Sequence, residues 1–163
     1  MPVPGRHVLL YNIPQVTAVE LTHSLIERLK RSFPQVVRGI KDSSGNWSYS
    51  RELMSRHGDL AILIGDERHL AAAMAAGAKG SISGVANLFA QPLAAMIRER
   101  HDDERVTRIV NEIEKYPVVA AIKAILAHMT GDPGWFSLAP PLQPLAREER
   151  DALIASYERI MAG

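Results

Sequence analysis

Short apolar runs alternate along the chain with longer stretches whose apolar positions recur every three or four residues. The short runs are "HVLLYN" (7–12), "VVRGIK" (36–41), "LAILIG" (60–65) and the glycine-rich "KGSISGV" (79–85). Each has the length of a buried strand and is bounded by turn residues. Between them, 17–32 sets Val19, Leu21, Leu25, Ile26 and Leu29 at helical spacing, and 47–58 reads as a helix closed by glycine. The stretch 66–77 is an alanine-rich helix with an acidic first turn and a terminal glycine, and another helix is expected over 89–100. Strand and helix thus alternate four times. That alternation predicts an α/β fold with a parallel sheet and right-handed crossovers. The close spacing is natural for a βα barrel, although a small doubly wound domain also fits the pattern.

The remainder changes character. Residues 102–129 read as helix, divided or kinked at Pro117. A proline-rich strap over 131–145 must run extended along the surface, and 146–161 forms a last amphipathic helix. The expected organisation is therefore a half-barrel of four βα units over 1–100, followed by a C-terminal helical region over 101–163.

Composition narrows the partners. Hydrophobic residues make up 47% and charged residues 23% of the 163, with a net charge of +1. That is an ordinary globular balance, with no basic field for nucleic acid. No cysteine is present, which removes disulfides, thiolate metal sites and cysteine nucleophiles. The six histidines show no paired ligand spacing, so no metal is expected. No run of about 18 apolar residues would span a membrane, and the first twelve residues do not look like a secretion signal. The cytoplasm is the expected location.

Chemistry in a βα barrel sits at the C-terminal ends of the strands. Here those ends read "YNIP", "GIKDSSG", "IGDE" and "SISGVAN". Tyr11 and Lys41 end consecutive strands, which lie about 4.8 Å apart when parallel. They would share one pocket mouth, with Gly39 below the lysine making room for its stem and Val37 on the same face. In that register Arg38 faces the helices. An amine so placed can attack a ketone and form a Schiff base, whose iminium serves as an electron sink, while the phenol relays protons. The plainer reading makes Lys41 a solvated exit residue and Tyr11 a core residue, and spacing alone does not separate the two. Asp42 is a candidate turn cap as much as a chemical group, and Ser44 or Asn46 a helix N-cap.

"YNIP", "GIKDSSG" and "GAKGSISGVANL", in this order and spacing, resemble the dihydrodipicolinate synthase and N-acetylneuraminate lyase family, and the late "PPLQPL" resembles its closing segment. The resemblance runs nearly end to end. It implies a pyruvate-dependent class I aldolase, here the second half of a (β/α)8 barrel plus C-terminal helices. By the same resemblance Lys41 is the Schiff-base lysine and Tyr11 the proton-relay tyrosine, while Gly65 and Ile82 line the pyruvate pocket. No cofactor beyond the lysine itself is implied.

Three departures stand out. Val16 occupies the position where the lysine-biosynthesis branch carries an arginine for the aldehyde's carboxylate, which turns the expectation from aspartate semialdehyde toward hydroxylated 2-oxo acids. No Gly-Thr-Thr-Gly-Glu-type loop for pyruvate's carboxylate is found, nor the second relay tyrosine. The expectations are therefore a lyase or aldolase on pyruvate or another 2-oxo acid, or a catalytically silent half-barrel acting in assembly. Either would work as a homo-oligomer or with a separate N-terminal half-barrel.

Overall fold

The computed structural model describes residues 6–163. The segment 1–5, where the expected first unit begins and where part of the N-terminal reading falls, lies outside them.

Four strands form one sheet: β1 (Val8–Asn12), β2 (Val37–Asp42), β3 (Ala61–Ile64) and β4 (Gly80–Ser81). They lie in the order β1-β2-β3-β4, and every neighbouring pair is parallel. A helical segment follows each strand. After β1 come α1 (Pro14–Thr17) and α2 (His23–Ser32), after β2 comes α3 (Trp47–Arg56), after β3 comes α4 (Leu70–Ala75), and after β4 comes α5 (Ala86–Glu99). These are four consecutive βα units of a (β/α)8 barrel.

The two faces of the sheet differ sharply. On one, Ile40, Ile62 and Ile64 are buried with Ile26 of α2 and Leu53 and Met54 of α3 in a single apolar cluster. The other face carries Leu9, Tyr11 and Gly39, and there Leu9 is 43% and Tyr11 49% exposed. Alternation along the strands accounts for this division, with one exception at the start of β2. Val8 pairs with Val37 but Leu9 pairs with Gly39, so Arg38 is an extra, bulged residue. The bulge turns Val37 into the helix-side core, where it is 6% exposed, and leaves Arg38 outside, near Gln35. Strict alternation would have placed Val37 beneath Lys41 and forced a guanidinium into apolar packing. The expected shared face of Val37 and Lys41 is corrected accordingly.

The helices also depart from their expected bounds. The predicted helix over 17–32 begins only at His23, because Thr22 caps it by accepting from the Leu25 amide at 3.3 Å. Upstream, Pro14 opens the one-turn α1, which ends at Ala18 in a left-handed conformation (φ 54°). Val19 therefore stays outside any helix and is 61% exposed. Strand β4 covers only Gly80–Ser81 of the run 79–85, though the Ile82 amide still donates to the Ile64 carbonyl at 3.2 Å.

By its contacts the chain divides into two compact units: Met1–Ser83 with Ile97–His101, and Gly84–Met96 with Asp102–Gly163. Most of α5 thus groups with the later helices. In the second unit, α6 (Glu104–Ile113), α7 (Val118–Thr130) and α8 (Arg147–Ala162) pack on one another. Pro117 divides α6 from α7, which are separate helices and not one kinked rod. The strap contains a short 3-10 turn over Pro133–Phe136. Among the described residues no helix is long and apolar enough to cross a membrane.

Candidate active site

The C-terminal ends of β1 and β2 set Tyr11 opposite Lys41 in register. The Lys41 Nζ donates to the Tyr11 hydroxyl at 3.0 Å and lies 4.1 Å from the centre of its ring. Both side chains stand on the uncovered face of the sheet, with Lys41 half-buried. Gly39 is required below them for a reason other than the lysine's stem. A Cβ there would come 2.4 Å from the Ala61 carbonyl oxygen and 2.7 Å from Leu9 Cδ2, so the neighbouring strands themselves close over the glycine.

Two turns extend the site. Ser43, the second residue after the lysine, donates its amide to the Asn12 carbonyl at 2.8 Å, and its own carbonyl accepts from Gln15 Nε2 at 2.6 Å. Its side chain lies on the Tyr11 side of the turn and helps to lower the phenol's pKa. Gly65, at the end of β3, donates its amide to the Asp42 carbonyl at 2.7 Å. A Cβ on Gly65 would fall 2.0 Å from Ser43 Oγ, so the absence of a side chain there keeps the serine hydroxyl in place. Ile82 follows β4 and is 42% exposed. Tyr11 and Lys41 touch each other, then, while Gly65 meets the turn after Lys41, and Ile82 lies at the neighbouring strand end.

Burial by itself raises the Tyr11 phenol. The hydrogen bonds from Lys41 and Ser43, together with the charge of the ammonium, outweigh it and bring the phenol below its ordinary value. A phenol so tuned, in contact with an amine, is equipped to exchange a proton with it.

Behind this pair lies a buried polar network whose role the residues alone did not disclose. Asn12 and Asp42 end the same two strands but point to the helix side, 1% and 2% exposed. The Asp42 carboxylate accepts from Asn12 Nδ2 at 2.9 Å, from Ser50 Oγ at 2.6 Å and from the Ser44 amide at 3.2 Å. Asn12 Oδ1 accepts from the Leu21 amide at 3.2 Å. Asp42 therefore faces away from the amine and braces the turn that carries it. Asn46 caps α3, accepting from the Tyr49 amide at 3.2 Å. Glu67, read from sequence as an acidic first-turn residue, is 5% exposed and accepts from the Ser83 hydroxyl, joining the ends of β3 and β4. The signal for Ser43 and Asn12 was their position beside the strand-end pair; what they contact depends on the turn geometry.

The sequence matches the Dihydrodipicolinate synthetase family over residues 1–160. It is 38% identical to an uncharacterized DapA-like lyase of Chloroflexus aurantiacus, aligned over 100% of this chain and 56% of that protein. It is 33% identical to the 4-hydroxy-tetrahydrodipicolinate synthase of Marinobacter nauticus over 94% of this chain and 56% of that protein. The crystal structure of dihydrodipicolinate synthase from Agrobacterium tumefaciens superposes with a TM-score of 0.90 at 45% identity, over 95% of this chain and 54% of that one. The chain spans about half the length of the curated relatives it matches.

Proposed function

Since the chain belongs to the Dihydrodipicolinate synthetase family, we propose that it is built for lyase or aldolase chemistry in which Lys41 forms a Schiff base with pyruvate or another 2-oxo acid. The observation that carries this reading is the 3.0 Å contact between the Lys41 amine and the Tyr11 hydroxyl at the ends of adjacent parallel strands. In the cleavage direction, the amine adds to the C2 carbonyl and the carbinolamine loses water, its leaving hydroxyl taking up a proton. The resulting iminium draws the electrons of the C3–C4 bond as the C4 hydroxyl gives up its proton. An aldehyde departs, the enamine is protonated at C3, and water returns pyruvate and the free amine. Tyr11 moves protons at the amine and at the departing oxygens. Gly65 and Ile82 line the 2-oxo acid pocket, and Ser43 holds the phenol. The lysine is the only covalent group the reaction uses, and the chemistry belongs in the cytoplasm.

The substrate class follows from Val16. It is 74% exposed and brings no charge to the place where a carboxylate-binding arginine would serve an aldehyde such as aspartate semialdehyde. A hydroxylated 2-oxo acid is the better substrate.

Borohydride reduction in the presence of pyruvate tests the Schiff base. The expected result is one reduced pyruvyl group, mapped by peptide sequencing to Lys41. Label spread over many lysines, or none, overturns the reading for this chain.

One observation favours a second reading, a silent half-barrel that acts in assembly. Leu9, Tyr11 and Ile82 are 43%, 49% and 42% exposed, so solvent reaches the face on which the chemistry depends. In that case the chain gains activity only with a homo-oligomeric partner or a separate N-terminal half-barrel, and the same labelling with and without that partner separates the two readings.

A further inference from the structure

We propose that Asn12 and Asp42 are positioning residues, a buried clamp behind the strand ends that holds the Lys41 amine against the Tyr11 hydroxyl. Its purpose rests on the Schiff-base reading of Lys41, but its geometry does not.

Strands β1 and β2 end in two pairs of partners. Tyr11 stands opposite Lys41, and one residue further on Asn12 stands opposite Asp42. Successive side chains of a strand point to opposite faces, so the first pair is on the open face and the second on the helix side. The ladder stops there. Its last bond runs from the Ser43 amide to the Asn12 carbonyl at 2.8 Å, and Pro14, which has no N–H, opens α1. The reacting side chains therefore stand where backbone pairing gives out, and the 2.9 Å bond from Asn12 Nδ2 to Asp42 Oδ1 continues the joint.

Other elements anchor this clamp. Ser50 of α3 donates to Asp42 Oδ2 at 2.6 Å, and the Ser44 amide donates to Oδ1 at 3.2 Å. The Asp42 carbonyl accepts from the Gly65 amide at 2.7 Å, which ties in the end of β3. Asn12 Oδ1 accepts from the Leu21 amide at 3.2 Å, and the Tyr49 hydroxyl of α3 donates to the Leu21 carbonyl. The approach to α2 is thus held by the same network. Asp42 is 2% exposed. A buried carboxylate is a costly filling for a helix–sheet interface, where apolar side chains of similar volume often stabilise as well or better. What the carboxylate adds is direction, because hydrogen bonds fix distance and angle. The phenol and amine at 3.0 Å need that direction, since a catalytic pair must be held within about 0.5 Å of its working geometry.

The test uses the full chain with isotope-labelled tyrosine, so that NMR titrates the Tyr11 phenol without turnover, its resonance being the one that Tyr11→Phe removes. Asp42→Ala and Asn12→Ala should each make the phenol titrate higher, because the ammonium no longer sits at its hydroxyl. Each should slow imine formation with pyruvate roughly 10²-fold. Asp42→Asn should recover most of both losses. Its side-chain carbonyl can accept from Asn12 and the Ser44 amide, and its NH2 can donate to Ser50, whose hydroxyl then donates to the Asn46 carbonyl 3.2 Å away. Ile26→Ala, which takes an apolar side chain from the helix-side core, should lower stability and leave the titration where it was. A titration unmoved by Asp42→Ala and Asn12→Ala, or moved as far by Ile26→Ala, overturns the clamp, as does Asp42→Asn behaving like Asp42→Ala. Should Asp42→Ala not fold, Ser50→Ala, which removes one donor to the carboxylate, must still shift the titration in the same direction. An unaltered chain that takes no borohydride label, while its Tyr11 titration responds to Asp42→Ala, refutes the Schiff base and leaves the clamp standing. Full-rate labelling in both alanine variants refutes the clamp alone.

Discussion

Among the described residues, the Tyr11–Lys41 contact brings two chemically capable side chains together on the open face, so single substitutions around it separate chemistry from packing. Tyr11→Phe keeps the ring beneath the amine but removes the hydroxyl that Lys41 donates to. We expect imine formation with pyruvate to slow by roughly 10²–10⁴-fold, read by rapid-quench borohydride trapping, with little change in the urea midpoint because Tyr11 is half exposed. Gly39→Ala should do the reverse. Its Cβ would meet backbone at 2.4 Å, so the strands must separate. A loss of about 1–3 kcal/mol in denaturant unfolding is expected. Gly65→Ala acts through Ser43, whose hydroxyl must leave the position it holds. With that hydrogen bond lost, the Tyr11 phenol should titrate higher, measured by its ultraviolet absorbance against pH. An unchanged titration would show that Ser43 contributes nothing to the phenol's tuning.

At the scale of elements, the packing of α2 and α3 against the sheet depends on two polar clusters. Asp42 binds β2 to β1 through Asn12 and to α3 through Ser50. Replacing it with alanine strands two buried donors, and we expect a loss of about 1–3 kcal/mol or more. Further along, His23 of α2 meets His57, the C-cap of α3, with Nδ1 and Nε2 3.1 Å apart. Burial, the Lys30 ammonium and His23 depress the His57 imidazole below its ordinary value, against the opposing pull of Glu27 and Asp59. Unfolding therefore takes up a proton at His57 as the pH falls below about 6.5, the unfolded value. The stability that its neutral form contributes is present above that pH and is lost as the pH falls toward the folded value. Unfolding free energy measured between pH 8 and pH 5 should decline, and His57→Gln should flatten the part of that decline that His57 causes. An unaltered slope in the variant would exclude His57 as its source.

For the whole molecule, the sheet face that carries Leu9 and Tyr11 stays open to solvent among the described residues. Any partner that binds only the folded chain raises its stability by mass action, so the unfolding temperature should climb with protein concentration. A midpoint independent of concentration, by scanning calorimetry across a dilution series, would mean that the face needs no cover. The division between what composition and pattern carry and what the fold adds is clear at particular residues. The βα alternation, the parallel sheet and the meeting of Tyr11 with Lys41 follow from apolar runs of strand length and from the rule that strand ends gather on one side. Those are local or periodic features, and one chain contains them. The bulge at Arg38, the late start of α2 at His23 and the inward turn of Asp42 were decided only in three dimensions. Each is a competition between a local pattern and a distant partner. Arg38 is pushed out because Val37 has a core to enter. The Thr22 hydroxyl caps a helix that the apolar spacing would have begun six residues earlier. Asp42 turns from the amine toward Asn12 and Ser50, which lie thirty and eight residues away in sequence. Periodicity sees which residues are apolar and how often. It does not see which polar groups will find one another once the strands lie side by side.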